Sequence, residues 1–94
     1  MKTALIQTDI IWENPAENGS VLEAKINSIT NDIDLLILPE MFTSGFTMNP
    51  SSVAETMQGT TIFWLKNIAK AKNCAITGSL IITENKNFYN RMVF

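Results

Sequence analysis

Glu40 is the carboxylate whose surroundings in this chain best suit chemistry. It follows the run Leu35-Leu36-Ile37-Leu38-Pro39 and opens the segment Met41-Phe42-Thr43-Ser44-Gly45-Phe46. Four consecutive apolar residues suit a strand covered on both faces, and Pro39, lacking an N–H, ends its pairing. Glu40 then falls at the carboxyl end of a central strand, where ligands of open α/β sheets bind. A carboxylate held there, partly desolvated, could act as a general base. A solvated loop glutamate is the alternative, and position alone leaves both readings open.

The other candidates offer less. Asp9, Glu13, Glu17, Glu23, Asp32, Asp34, Glu55 and Glu84 fall mostly on expected helix surfaces or in turns. Cys74 opens an apolar strand and reads as a buried structural thiol. With no histidine in the chain, His-based triads and His-ligated zinc are excluded within it. No residue group has metal-ligand spacing, and Gly45 and Gly78 lack the spacing of a phosphate or dinucleotide loop. Met41 and Met48 flank the loop after Glu40 and could line an apolar wall, whereas the aromatic residues, Phe42 and Phe46 included, read chiefly as core or lid packing.

The elements that must position Glu40 follow from periodicity and punctuation. Thr3 to Asp9 reads as a first strand. Asn14-Pro15-Ala16-Glu17 starts a helix, with Asn14 as cap, Pro15 at the first helical position and Glu17 where a capping-box carboxylate belongs. Leu22, Ile26 and Ile29 form its apolar stripe, and Asn31 with Asp32 closes it. The second strand is Leu35 to Leu38, which makes a βαβ unit. Met41 to Glu55 is a long polar loop of the kind that tends to be functional. A second helix starts at Gly59-Thr60-Thr61 and runs to about Lys72, with Lys66, Lys70 and Lys72 mostly toward solvent. A third strand, Cys74 to Thr83, is expected to break at Gly78-Ser79. The turn Glu84-Asn85-Lys86-Asn87 then leads to a strand from Phe88 to Phe94, giving a hairpin and the order β-α-β-α-β-β.

Composition fits one α/β domain over residues 1–94. The chain is 46% apolar and 17% charged, with a net charge of −2 and no basic block, which argues against nucleic acid or an anionic membrane surface. No apolar segment approaches the roughly 20 residues needed to span a bilayer. The lone cysteine and the polar interruption at Gln7-Thr8-Asp9 suit a cytoplasmic protein without a secretory leader. The final Met92-Val93-Phe94 reads as an apolar run awaiting continuation, so the sequence is expected to be part of a longer protein.

Leu-Leu-Ile-Leu-Pro-Glu-Met-Phe-Thr-Ser-Gly-Phe at 35–46, followed by Met48, resembles the catalytic-glutamate segment of the nitrilase superfamily of carbon–nitrogen hydrolases, in its omega-amidase-like branch. ALIQTDIIWENPAEN near the start, AITGSLI at 75–81 and Phe88-Tyr89-Asn90-Arg91 resemble further segments of that family in the same order. The resemblance implies the N-terminal part of an α-β-β-α sandwich, a homo-oligomer and hydrolysis of a small omega-amide without a cofactor. It implies that Glu40 is the general base of a Glu-Lys-Cys triad and makes Met41, Phe42 and Phe46 substrate-pocket candidates. In the family the lysine follows the strand begun at Phe88 and the nucleophile lies later still. Lys66, Lys70, Lys72, Lys86 and Cys74 do not match those places, so the chain alone is expected to be inactive. A non-catalytic interaction or scaffold fragment is the competing reading.

Overall fold

The computed structural model describes residues 1–29, 32–45 and 47–94. Its elements are β1 (Thr3–Leu5), α1 (Pro15–Asn27), β2 (Leu35–Ile37), a 3-10 turn (Pro50–Ser52), α2 (Thr60–Lys72), β3 (Ala75–Glu84) and β4 (Asn87–Val93). The expected alternation is present. The strands form one sheet in the order β1-β2-β3-β4. β1, β2 and β3 run parallel, and β4 returns antiparallel to β3.

Local chemistry explains the helices. The Asn14 side chain accepts from the Glu17 N–H at 3.2 Å and donates to the Glu17 carboxylate at 3.1 Å, so Asn14 caps α1 as its sequence indicates. Gly59 brings no side chain to cap α2. Its first turn is instead served by Glu55, whose carboxylate accepts from the Thr61 N–H at 2.9 Å and from the Thr61 hydroxyl. That places negative charge against the unsatisfied N–H groups of the helix start. Asn73, in left-handed backbone at φ 50°, ends α2. α1 ends at Asn27 with Ser28 as its C-cap, ahead of the closure expected at Asn31 and Asp32, of which Asn31 lies outside the described residues.

Leu22 and Ile26 of α1 and Ile62, Leu65 and Ile68 of α2 share one apolar cluster with Ile6, Leu36, Leu38, Phe42, Ile76, Leu80 and Ile82. Both helices therefore cover the same face of the sheet. Each large aliphatic side chain buried there contributes roughly 1.5–3 kcal/mol. The opposite face carries a small cluster of Met41, Val53 and Ile81. Leu5 there is 62% exposed and Met92 75%. β2 is thus fully buried on one face only: Leu36 and Leu38 are enclosed, and Leu35 and Ile37 are half-buried. The described residues supply one sheet and one helical layer.

Two strands differ from their expected extent. β1 ends at Leu5 rather than Asp9, because its partner β2 ends at Ile37; after the Ile6 N–H donates to the Ile37 carbonyl at 2.9 Å, no strand among the described residues continues alongside. β3 passes unbroken through Gly78 and Ser79. A Cβ on Gly78 would lie 3.0 Å from Leu38 Cβ and from a ring carbon of Phe42, so the glycine is there for close approach. The β3–β4 hairpin turns at Asn85 and Lys86, with φ of 53° and 65°, the sign that a type I′ turn requires at both positions.

Candidate active site

β3 builds the site by holding successive pieces of chain along one edge. Its first residues, Ala75 to Thr77, pair with β2. Where β2 stops, Leu38 N–H donates to the Thr77 carbonyl at 2.8 Å and Phe42 N–H to the Ser79 carbonyl at 3.1 Å. Further along, Glu55 takes over: its N–H donates to the Ile81 carbonyl at 3.1 Å, and its carbonyl accepts from Thr83 at 2.8 Å. Glu40 sits at the handover between the first two pieces, on a tight turn after Pro39.

That turn is closely tied. The Met41 N–H donates to Ser79 Oγ at 2.9 Å, while the Met41 carbonyl accepts from Gly45 at 2.8 Å. Met41 itself has φ 52°, left-handed backbone that is costly for a side chain other than glycine. Gly45, at φ 72°, meets the same demand without that cost. Thr43 and Ser44 are buried behind the turn.

A second tie comes from α1. Asn18, only 2% exposed, donates through Nδ2 to the carbonyls of Ile11 and Thr43 and accepts on Oδ1 from the Ile11 N–H, each at 2.7 Å. It clamps the segment before α1 to the segment after Glu40. Glu13 N–H adds a bond to the Ser44 carbonyl at 2.8 Å, and the Glu13 carboxylate accepts from the Thr47 hydroxyl. Between these segments lies an open cleft of about 700 Å³ lined by Trp12, Glu13, Met41, Thr47, Met48 and Asn49. Glu13, like Met41, has positive φ, at 51°. Two strained residues therefore border one cleft, a pattern common at functional sites.

The sequence-derived site residues separate in space. The Glu40 side chain is exposed, so the partial desolvation expected of it is absent here; one oxygen, Oε2, accepts from Asn90 Nδ2 at 3.2 Å. Met41 is buried and borders the cleft. Phe42 turns the other way into the core, 1% exposed, with its ring 6.4 Å from that of Trp64. Phe46 lies outside the described residues. Cys74 is half-buried rather than enclosed; its partial burial pushes the thiol up from its ordinary value of 9.0, and Lys72 opposes that shift. Among the described residues no group of three His, Cys, Asp or Glu side chains could hold a metal ion. No helix there is long and apolar enough to cross a membrane.

Asn18, Ser79 and Asn90 were not singled out from sequence. Asn18 had a signal: it stands four residues before Leu22 on the apolar stripe of α1, where a polar side chain must find partners. Ser79 read as a strand break, and Asn90 as an ordinary strand residue.

The arrangement matches known proteins along its length. A model of the carbon-nitrogen hydrolase family matches residues 2–94. The chain belongs to that family. Among carbon–nitrogen hydrolases it is 33% identical over 89 residues to the 2-oxoglutaramate amidase of Bacillus subtilis, covering 93% of this chain and 34% of that protein. It is 29% identical over 93 residues to the omega-amidase YafV of Escherichia coli K12, covering 99% of this chain and 36% of that one. The solved structure of XC1258 from Xanthomonas campestris, a CN-hydrolase superfamily protein with an arsenic adduct in its active site, superposes with a TM-score of 0.91 at 35% identity, covering 98% of this chain and 35% of that one. This carbon–nitrogen hydrolase chain thus spans about a third of the length of those relatives.

Proposed function

We propose that this chain is the N-terminal portion of a carbon–nitrogen hydrolase domain that hydrolyses the terminal amide of a small omega-amide, with Glu40 as general base. Glu40 takes the proton from a cysteine thiol supplied by the remainder of the protein. The thiolate attacks the amide carbonyl, and the same proton leaves with ammonia as the C–N bond breaks. Water then cleaves the thioester, releasing the carboxylic acid and restoring the thiol. A lysine outside this chain stabilises the oxyanion of the tetrahedral intermediates.

The observation that carries the reading is the placement of Glu40 at the carboxyl end of β2, with the next residue tied to Ser79 of β3. Ligands of open α/β sheets bind at that end. The names of the relatives, omega-amidase and 2-oxoglutaramate amidase, support the substrate class. Met41 and Phe46 are carried forward as pocket-wall residues, whereas Phe42 belongs to the core. A cytoplasmic homo-oligomer acting on a small molecule, without nucleic acid or membrane, completes the proposal.

Substitution of Glu40 by Gln in the full-length protein tests it, since the change keeps the shape and removes the base. Hydrolysis of 2-oxoglutaramate is expected to fall by at least about a thousandfold, within the range that loss of an essential proton-transfer group produces. Unchanged turnover would overturn the general-base assignment, whereas a wild-type protein without amidase activity would leave only the scaffold reading.

A further inference from the structure

We propose that Asn90 is the positioning residue of Glu40, holding one carboxylate oxygen so that the other is aimed at the reacting proton; this rests on the general-base reading above. The geometry begins in the hairpin register. Ile81 faces Asn90 across the β3–β4 pair and Ser79 faces Met92, and side chains two apart on a strand share a face. Ser79 and Asn90 therefore stand on one face of the hairpin. Ser79 Oγ accepts from the Met41 N–H at 2.9 Å, and Asn90 Nδ2 donates to Glu40 Oε2 at 3.2 Å. One strand fixes the backbone beside Glu40 and its neighbour fixes the carboxylate, 50 residues further along the chain.

The chemistry of the contact suits a base. An ionised carboxylate only accepts hydrogen bonds, so the amide must present its NH₂ to it, which settles the orientation of Asn90. That donor is neutral and does not titrate, so the hold persists across the working pH range. A cation in its place would favour the charged carboxylate and weaken it as a base. The cation next along the strand is engaged elsewhere: Arg91, on the alternate face, pairs with Glu84 at 2.8 Å. Among the described residues Oε1 of Glu40 has no partner and remains available to accept a proton. Without Asn90, an exposed glutamate with three rotatable bonds samples several rotamers, and misplacement by about 1 Å can cost on the order of 100-fold in rate.

The test uses the full-length protein with 2-oxoglutaramate and four variants. Asn90→Ala and the near-isosteric Asn90→Asp are expected to lower kcat about 10- to 100-fold with KM within about threefold. Asn90→Asp should be the worse of the two, because it sets like charges together. Asn90→Gln, which keeps the donor, should recover part of the loss, and the urea midpoint of all three should stay near wild type because Asn90 is exposed. A rise in KM at unchanged kcat, or wild-type kinetics in both Ala and Asp variants while Glu40→Gln is inactive, overturns the positioning role and leaves the general base standing. Activity in Glu40→Gln overturns the general base itself. A readout independent of turnover is the NMR signal of the Asn90 side-chain amide: it should move in Glu40→Gln, and an unmoved signal means that the contact is absent.

Discussion

The side-chain amide of Asn18 donates to the Thr43 carbonyl at 2.7 Å, joining α1 to the turn that follows Glu40 across 25 residues of sequence. With its two bonds to Ile11, the same side chain satisfies three backbone groups that no strand or helix pairs. A helix is thereby fixed to both irregular segments that border the cleft.

Asn18→Ala is expected to cost about 2–4 kcal/mol of stability, because it leaves the Ile11 N–H and the buried Thr43 carbonyl without their partner. Asn18→Asp nearly preserves the volume and still accepts from Ile11, yet loses both donations and sets a carboxylate against two carbonyls. It should be at least as damaging as Ala. Urea unfolding of the two variants checks this, and a near-neutral Asp variant would mean that Asn18 acts by filling space.

Gly78→Ala places a methyl 3.0 Å from Leu38 Cβ and from the Phe42 ring. Overpacking of this kind typically costs about 1–3 kcal/mol. Because Phe42 lies against Trp64, the displaced ring should also alter tryptophan fluorescence in the folded state, and the emission spectrum together with the urea midpoint measures both effects.

The Cys74 thiol, raised by its partial burial against the smaller opposing effect of Lys72, predicts a pH dependence of defined sign. The folded state holds the thiol proton more tightly than the unfolded state does. The associated stability is therefore fully present below the unfolded value near 9.0 and is lost as pH rises through the higher folded value. Relative to Cys74→Ser, the wild type should lose stability only in that alkaline window. Alkylation by iodoacetamide should be slower in the folded than in the unfolded chain at the same pH.

Much of the frame was legible because it rests on local signals. Asn14-Pro15 with Glu17 marks the start of α1 through groups within one turn, and Asn73 marks the end of α2 by tolerating left-handed backbone. The position of Glu40 was equally legible, since Pro39 cannot continue the ladder. What escaped the sequence depends on partners distant along the chain. Gly78 reads as a strand break until Leu38 and Phe42 are seen against it. The cap of α2 lies in Glu55, five residues ahead of the helix and simultaneously part of the sheet edge. The burial expected for Glu40 was an inference from two-sided cover, and the described residues cover β2 fully on only one side.

The edge of β3 also bears on how such chains can diverge. The strand holds Phe42 at Ser79 and Glu55 at Ile81 and Thr83, so residues 43–54 leave one strand and come back to it a few residues further on. The ends of that excursion are fixed while its interior spans the gap. Closing a longer excursion costs little, about 0.6 kcal/mol for each doubling of length. Insertions and rewritten sequence between residues 47 and 52 can therefore reshape the cleft wall while Glu40 keeps its address.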